Sequence, residues 1–361
     1  MSILIVGGLG YIGSNVAKSL LLKDEDVIIM DNLSNSHIGK AKLIKESTDG
    51  KTIKLYSKDL LKEKDIIQVF KENQIESVIY TATSTSKDSS KYILENIQML
   101  SNLLEVMKTF TCKRLIFTSS DIYEKAGQVS ELDYTIDPIK VTDKEAVSNL
   151  LLETYLNKFY KDNQNENWSI VILRLFEIAG TDSSGLLGNF NLQRDNIFTK
   201  IMKNNLKNEP ILIETNYPTY SKTLIKDYTH IRDCVVAYQK ALNLVRKSAN
   251  YFDLFNIGSG KPTTDLQIMN MYNAISGTKV PFTGIKKSSE RVAERVNNKI
   301  KMINTLKYEE TLGIDAIIRS NIEFCSNYGQ IQKDYKEAEK MIQKANRKSE
   351  KEKEVNKENE E

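Results

Sequence analysis

Residues 3–13, which read ILIVGGLGYIG, decide the fold of this chain. The apolar run Ile3–Val6 has the length and composition of a buried strand, and a helical pattern begins at Ile12. Between them, Gly7 allows a tight turn, Gly10 lets the backbone approach a pyrophosphate, and Gly13 lets the helix pack closely against the strand. The free amide groups at the helix N-terminus attract an anion. The stretch therefore indicates a dinucleotide-binding turn.

Residues at the ends of the next strands fit the same interpretation. Asp31 follows the second strand, where its carboxylate can accept hydrogen bonds from both ribose hydroxyls and would repel a 2′-phosphate. Residues 32–36 include no lysine or arginine to bind such a phosphate, so we expect NAD rather than NADP. Asp59 and Leu60 follow the third strand, and the aspartate can reach the adenine amino group. Ala82 follows the fourth, where a small side chain leaves room for the cofactor.

Apolar runs of four to six residues alternate with amphipathic segments over the first 180 residues. The strand candidates are Ile3–Val6, Val27–Met30, Ile53–Tyr56, Ser77–Tyr80, Arg114–Thr118 and Ile170–Leu175. The helix candidates are Ile12–Leu22, Lys64–Glu72, Ile93–Lys108 and Val147–Tyr160. Strands separated by helices are typical of βαβ units, and their continuous apolar character suits burial on both faces. The pattern predicts a Rossmann-like, doubly wound parallel sheet.

Three parts follow from the change of pattern along the chain. Residues 1–180 form the expected NAD-binding domain, and residues 181–330 a smaller substrate-binding lobe that exchanges some segments with the first. Residues 331–361 contain 9 lysines and arginines and 9 acidic residues with few large apolar side chains. This composition predicts a charged, disordered tail, of which the part up to about Lys348 can extend a helix.

Composition excludes several classes of function. The net charge is +3 with 27% charged residues, which gives no reason to expect nucleic acid or an anionic membrane as a partner. No run approaches the roughly 18 apolar residues of a membrane span, and no signal peptide is recognisable. Cys112, Cys234 and Cys325 are odd in number and widely spaced, as expected for reduced thiols in the cytoplasm. With only His37 and His230, we expect no metal site.

Several short motifs carry a family resemblance, and they occur in order over roughly residues 2–300. They are Gly7–Ser14, Asp31–Ser36, Thr118–Ser120, Arg174–Phe176, Tyr217–Thr219, Asp227–Asp233 and Phe255–Gly260. With these motifs the chain resembles the UDP-glucose 4-epimerase family of extended short-chain dehydrogenases/reductases. The resemblance implies further cofactor contacts at Tyr11, Ile12, Asn32, Asn35, Ser36, Asn96 and Ser119.

The resemblance also implies a reaction. In this family a tyrosine removes the proton from the sugar 4-hydroxyl, a lysine four residues later lowers the tyrosine pKa, and a serine shares the hydrogen bond. Hydride passes from C4 to NAD⁺ and returns to the other face of the ketone, so NAD is regenerated. The lysine is needed because a phenol with a pKa near 10 is a poor base at neutral pH.

The Tyr-x-x-x-Lys pair is absent where it is expected, around residues 138–148. Three registers place Ile139, Lys140 or Thr142 at the tyrosine position and Asp143, Lys144 or Ala146 at the lysine position. None of the chain's 17 tyrosines is followed by lysine four residues later. Ser120 is retained, and Tyr123 or Tyr134 can approach the site without a lysine partner. Thr142 and Lys144 are the nearest candidates for the two positions.

The expected substrate side is also altered. The family's Arg-Tyr-Phe-Asn reads Arg-Leu-Phe-Glu here, so Glu177 replaces an amide with a carboxylate that would repel a diphosphate. Where arginines clamp the diphosphate, the match gives Lys226 and Lys287, which keep the charge and lose the bidentate fork. The Asn196-Ile197 pair fits the family's Asn-Leu pair, which offers backbone groups to the substrate. Lys226 and Lys287 have a structural alternative as solvated surface lysines, and Glu177 has one as a satisfied loop acid.

Three functions remain open from the sequence. The first is an active UDP-glucose 4-epimerase of galactose metabolism. The second, which we favour, is a pseudoenzyme that holds NAD and a UDP-sugar with very weak or no epimerase activity. The third is a nucleotide-sugar enzyme with a rebuilt active site. The resemblance further implies a homodimer formed through the helices Ile93–Lys108 and Val147–Tyr160, whose apolar faces the sequence shows.

Overall fold

The elements alternate along the chain as the sequence predicts. The computed structural model describes residues 1–121, 127–129, 143–191, 196–286 and 293–358, with the side chains of 127–129 and 338–358 excepted. The strands are β1 (Ser2–Val6), β2 (Val27–Asp31), β3 (Lys54–Ser57), β4 (Ile75–Tyr80), β5 (Arg114–Ser120), β6 (Gly127–Val129), β7 (Ser169–Leu175), β8 (Glu177–Ala179), β9 (Ile211–Thr215), β10 (Ile225–His230), β11 (Tyr251–Ile257), β12 (Pro262–Thr264), β13 (Phe282–Lys286) and β14 (Glu294–Asn297). The helices are α1 (Tyr11–Leu21), α2 (Gly39–Glu46), α3 (Glu63–Lys71), α4 (Ser89–Thr109), α5 (Lys144–Asp162), α6 (Ile197–Lys207), α7 (Ile231–Lys247), α8 (Asp265–Ser276) and α9 (Ile314–Glu358).

Seven parallel strands form the main sheet in the order β11-β7-β5-β4-β1-β2-β3. The chain runs from β1 outward to β3 and then crosses back to β4 on the other side of β1. The strand order therefore reverses between β1 and β4, and the carboxyl ends of these strands open a crevice there. The predicted doubly wound parallel sheet is confirmed.

Side-chain alternation explains why the strands are apolar throughout. In β1, Ile3 and Ile5 point into a core shared with α1 and α7 residues, whereas Leu4 and Val6 point into a core shared with α3, α4 and α5 residues. Each face of the sheet is covered by helices, so both sets of side chains are fully buried. The two cores fix the positions of the strand ends, from which the candidate site is built.

The smaller lobe is assembled from separate pieces of chain. One sheet has the order β12-β10-β14-β6, with β8 pairing against β10, and β13 pairs with β9 in a second, two-stranded sheet. Strand β11, although it falls within residues 181–330 assigned to the smaller lobe, forms an edge of the main sheet beside β7. Lys226 of β10 lies directly opposite Arg295 of β14 in their parallel pairing. This register brings together residues that are far apart in the sequence.

Three helices differ from the sequence prediction. Helices α2 and α8 were not predicted, and α9 extends the fold into the segment assigned to the tail, because Ile331 and Tyr335 are almost fully buried in the main core. The Tyr335 ring stacks on His37 with the ring centroids 4.6 Å apart. Core packing thus reaches at least Tyr335. None of the helices in the described ranges has the length and hydrophobicity that a membrane crossing requires.

Candidate functional site

A cleft of about 950 Å³ runs along the carboxyl ends of the main strands. One end is lined by the glycine turn after β1 and by Asp31 at the end of β2. The other end is lined by Ser120 of β5, by the start of α5, and by Lys226 and Arg295 of the smaller lobe. The cleft therefore spans the crevice at the strand-order reversal and the interface with the smaller lobe. We call these two regions the dinucleotide end and the far end.

The glycine turn leaves no room for side chains. Gly7 has a φ of +72°, and a Cβ there would lie 2.7 Å from the backbone nitrogen of Ala82. A Cβ at Gly13 would lie 2.6 Å from the carbonyl oxygen of Gly7. Gly10 is the N-cap of α1 and has no side chain that could satisfy the first amides of the helix. The turn therefore presents bare backbone and a helix N-terminus to the cleft, as an anion-binding turn requires.

Three donors hold the Asp31 carboxylate in place. The backbone N–H groups of Leu9 and Leu33 each donate to it over 2.9 Å, and the Ser36 hydroxyl donates over 2.6 Å. Asp31 is only 6% exposed, yet it lines the cleft, as do Asn32 and Asn35. Ser36 thus orients the carboxylate, and it is not among the lining residues. The arrangement fixes a negative charge beside the glycine turn.

Lys40 is a cation at the dinucleotide end that the sequence analysis missed. It lies on α2, is 4% exposed, lines the cleft, and its ammonium group lies 5.2 Å from the centroid of the Phe190 ring. Burial lowers its pKa to about 8, and the nearby Asp31 carboxylate partly opposes that shift. The sequence analysis considered only residues 32–36 for cations because α2 itself was not predicted. Lys58, after β3, also lines this end.

Most of the other residues predicted near the strand ends line the cleft, whereas Asp59 does not. Tyr11 and Ile12 of α1 line it, together with Leu60 and Ala82 at the ends of their strands. Asp59 is not among the lining residues; its carboxylate accepts a hydrogen bond from the Leu61 N–H over 3.1 Å. The sequence predicts that this carboxylate contacts the adenine amino group of the cofactor. In the structure the carboxylate is not among the groups that line the cleft.

Asn96 and Ser119 line the cleft from α4 and β5, and both are tied to buried partners. The Asn96 side chain accepts from the Ser84 N–H over 2.8 Å. The Ser119 hydroxyl donates to Glu153 over 2.6 Å. Glu153 also accepts from the Arg174 guanidinium, whose Nε lies 2.9 Å away, and all three side chains are at most 6% exposed. This buried ion pair anchors α5 to β7 beneath the far end.

Helix α5 presents two side chains four residues apart to Ser120. The Asp143 carboxylate caps the helix by accepting the N–H groups of Glu145 and Ala146 over 3.0 Å each. Asn149, one turn beyond Glu145, donates from its amide to the Ser120 hydroxyl over 2.7 Å. Glu145 and Asn149 both line the cleft. The helix thus places a carboxylate and an amide at an i, i+4 spacing beside Ser120.

Of the candidates from the sequence registers, Asp143 and Ala146 line the cleft and Lys144 does not. The Lys144 ammonium donates to the carbonyl oxygens of Ser86 and Lys87 and lies 4.8 Å from the Tyr92 ring centroid, so it is not among the lining residues. Several other candidates fall outside the described residues: Tyr123, Tyr134, Ile139, Lys140, Thr142 and Lys287. The i, i+4 pair that faces Ser120 is in a register that the sequence analysis did not consider.

A cluster of four charges lines the far end. The Lys226 ammonium lies 2.9 Å from a Glu177 carboxylate oxygen, and the Arg295 guanidinium lies 2.8 Å from Asp121 and 3.6 Å from Glu177. Burial raises the pKa of Asp121 to about 7, although Arg295 opposes the shift. Glu177, expected to repel a diphosphate, and Lys226, expected to attract one, are thus paired with each other. We call these four residues the charge cluster.

Asn196 and Ile197 have separate roles in the structure. Asn196 lines the cleft and caps α6, accepting the Thr199 N–H over 2.9 Å. Ile197 is 2% exposed and its side chain packs in the core of the smaller lobe, with Tyr228 and Ile268. Only the first residue of the pair therefore offers a side chain to the cleft. The described residues hold no group of three histidine, cysteine or acidic side chains that could bind a metal ion.

Sequence reasoning missed several residues that line the cleft, among them Lys40, Asp121, Glu145, Asn149 and Arg295. A readable signal existed for two of these: Asp143 followed by Lys-Glu-Ala is a helix N-cap pattern, and it sets the register of Glu145 and Asn149. Arg295 and Asp121 come into contact only through tertiary structure, so no local sequence pattern predicts their pairing.

Comparisons with known proteins agree on one family. The sequence profile of the NAD dependent epimerase/dehydratase family matches residues 3–258. A UDP-glucose 4-epimerase of Bacillus subtilis is 30% identical over 326 residues, which cover 88% of this chain and 94% of the relative.

Two solved structures share the fold over nearly all of the chain. A UDP-glucose 4-epimerase from Stenotrophomonas maltophila, with bound NAD and formylated UDP-arabinopyranose, superposes with a TM-score of 0.84 at 22% identity, covering 91% of this chain and 99% of that one. The enzyme from Bifidobacterium longum, in complex with NAD⁺ and UDP, gives a TM-score of 0.81 at 25% identity, covering 91% and 98%.

Proposed function

The chain belongs to the NAD-dependent epimerase/dehydratase family, within the UDP-glucose 4-epimerases, and from this premise we propose that it binds NAD and a UDP-sugar while catalysing 4-epimerisation very weakly or not at all. The observation that carries the proposal is the contrast within one cleft. The dinucleotide end has the turn and carboxylate that a dinucleotide needs, whereas α5 presents Glu145 and Asn149 to Ser120.

The dinucleotide end fits NAD. A Cβ on Gly7 or Gly13 would fill the turn that the pyrophosphate approaches, and Asp31 is held as an acceptor for ribose hydroxyls. Further proposed contacts come from lining residues: Gly10, Tyr11, Ile12, Asn32, Asn35, Leu60, Ala82, Asn96 and Ser119. When bound, NAD supplies the hydride acceptor and donor of the family reaction. Binding of NAD and UDP by solved relatives supports the proposal.

The proton-transfer residues do not match the family reaction. That reaction uses a phenol whose pKa a nearby lysine lowers, and here the two cleft-facing positions hold Glu145 and Asn149. An amide carries no charge that could lower a neighbour's pKa, and an exposed carboxylate is a much weaker base than a phenolate. Loss of a general base typically lowers a rate by about 10²–10⁴-fold. Ser120 keeps its position, but a serine hydroxyl is not itself a base.

A specific feature favours a second candidate function, a nucleotide-sugar enzyme with a rebuilt site. Asp121 directly follows Ser120, lines the cleft, and has a pKa raised by burial to about 7. A carboxyl group that titrates near neutral pH can accept and return a proton. In that case turnover of some nucleotide sugar would depend on Asp121.

We extend the proposal to assembly and location. Leu94 on α4 and Leu151 on α5 are 66% and 38% exposed on adjacent helices, which supports a homodimer through these two helices. The three cysteines are free, and Cys112 and Cys234 are buried. Free thiols support a cytoplasmic location.

One purification tests the proposed function. We expect the protein to release NAD on denaturation, to bind UDP-glucose in calorimetry, and to convert UDP-galactose to UDP-glucose at least about 100-fold more slowly than an intact family enzyme assayed beside it. Conversion at the rate of the intact enzyme would refute the loss of activity. Absence of bound or bindable NAD would refute the cofactor assignment. Turnover that disappears in Asp121→Asn would favour the rebuilt site instead.

A further inference from the structure

The charge cluster places two cations side by side at the far end of the cleft. Lys226 and Arg295 are paired residues of neighbouring parallel strands, so both side chains emerge at the same level of the smaller lobe. Glu177, on β8, which also pairs with β10, contacts both of them. Asp121, at the end of β5, contacts Arg295. Each cation is therefore already paired with a carboxylate.

The two cations are in the position to bind an anionic second ligand. The other described lysines that line the cleft, Lys40 and Lys58, lie at the dinucleotide end beside Asp31. Paired lysine and arginine side chains on a cleft wall are suited to phosphate groups, the arginine through two parallel hydrogen bonds. A UDP-sugar that enters the far end therefore meets Lys226 and Arg295 together with their two carboxylates.

We propose that Asp121 and Glu177 are specificity-determining residues that weaken the binding of a diphosphate by acting as internal counter-anions to Arg295 and Lys226. The inference rests on the proposed function, because it concerns the nucleotide-sugar end of the same cleft. A diphosphate must either displace the carboxylates from the two cations or lie beside them. Both routes lower its affinity, and the site discriminates against ligands in proportion to their negative charge.

Burial makes this discrimination effective. The side chains of Lys226 and Glu177 are 6% and 20% exposed, and that of Asp121 is 14% exposed. Salt and water screen charges at such sites less than on an open surface. Breaking a buried ion pair also leaves an uncompensated charge, which is costly. A phosphate therefore gains little from cations that already have partners.

Isosteric variants test the inference by a gain of binding. We expect Glu177→Gln and Asp121→Asn each to bind UDP about tenfold more tightly than the unmodified protein in calorimetry at about pH 8.5, above the Asp121 pKa of about 7, since each removes one negative charge next to the phosphates. The gain should shrink in Glu177→Gln combined with Lys226→Met, because the released cation is then gone. Glu25→Gln is the matched control, since Glu25 is ion-paired with Arg246 away from the cleft and its loss should leave UDP affinity unchanged.

A second set of binding measurements varies the charge of the ligand. UMP should gain less than UDP from either variant, and uridine should gain nothing. Unchanged or weaker UDP binding by both variants, with the original protein binding UDP measurably, would overturn this inference and leave the proposed function standing. An equal gain for uridine would also overturn it. Absence of UDP binding by every variant, with NAD retained and melting temperatures unchanged, would overturn both this inference and the proposed nucleotide-sugar ligand.

Discussion

At the dinucleotide end of the cleft, Gly7, Gly13 and Asp31 form a site from backbone and one fixed carboxylate. At the far end, Glu145 and Asn149 line the cleft, and the proposed function assigns them to the positions of the family's base and its lysine. The glycine turn is part of the contact between β1, α1 and the end of β4, so changing it disturbs the fold itself. Glu145 is exposed and contributes little to the core. The comparison teaches that the part of the family site retained in this chain, the glycine turn, is the part that also stabilises the fold.

The largest expected effect breaks the dinucleotide end. In Gly13→Val the new Cβ would lie 2.6 Å from the Gly7 carbonyl oxygen and 2.7 Å from the Gly8 Cα. We expect NAD affinity to fall about 100-fold or more, because the turn that approaches the pyrophosphate must move. Stability should fall by about 1–3 kcal/mol from overpacking. Calorimetric titration with NAD and urea denaturation measure the two effects.

Gly329→Ala is the control for the glycine variant. Gly329 lies in α9, and a Cβ there has no atom within 4 Å. NAD affinity and stability should both remain close to those of the original protein. Full NAD binding by Gly13→Val would show that the turn does not hold the cofactor.

The next largest effect is expected from a double variant that rebuilds the far end. The double variant Glu145→Tyr with Asn149→Lys restores a phenol and an ammonium group at the two positions that face Ser120. We expect the rate of UDP-galactose epimerisation to rise about 10- to 100-fold, part of the gain that a general base provides. A coupled UDP-glucose dehydrogenase assay measures the rate.

The matched control uses a register considered from the sequence alone, Thr142→Tyr with Ala146→Lys. It adds the same two side chains three residues earlier in the sequence and should give no gain. If the control gains more than the Glu145 and Asn149 variant, the register given by α5 is wrong for the chemistry.

The smallest expected effect is a dependence of NAD affinity on pH at the dinucleotide end. The pKa of Lys40 is lowered by burial to about 8, so the side chain is charged below this pH and becomes neutral above it. The charged form attracts the anionic pyrophosphate of NAD. We expect NAD affinity to fall about threefold as the pH rises from 7 to 9, the effect of one partly screened charge. Lys40→Met should bind NAD more weakly and lose this pH dependence; an unchanged pH profile in that variant would assign the titration to another group.

Local patterns predicted the dinucleotide end well. The strand before Gly7, the helix after it and Asp31 at the end of β2 are fixed by short-range periodicity and turn chemistry, which a sequence displays directly. The Asp59 contact with adenine stays a prediction, and in the structure the Asp59 carboxylate accepts a hydrogen bond from the Leu61 N–H. The sequence predicts where the strand ends, but it does not predict the direction in which the following side chain points.

The far end depends on contacts between distant residues. Lys226 and Arg295 meet through strand register, and Glu177 and Asp121 approach them from two other strands. Periodicity carries no information about such pairings. The start of α5 was predicted at Val147 instead of Lys144, although Asp143 is the N-cap that fixes it. Reading that cap would have identified Glu145 and Asn149 as a facing pair.

The contact between α9 and the dinucleotide end has a consequence for the order of assembly during synthesis. Lys42 and Asp334, which are 292 positions apart in the sequence, form an ion pair between α2 and α9, and Tyr335 of α9 stacks on His37 just before α2. At about 5–20 residues per second, a ribosome adds the second partner about 15–60 s after the first. The nucleotide turn can fold early, while α9, which packs against α2 and its cleft-lining residue Lys40, is synthesised only near the end of translation. Cofactor captured before that moment would meet an α2 that lacks this support.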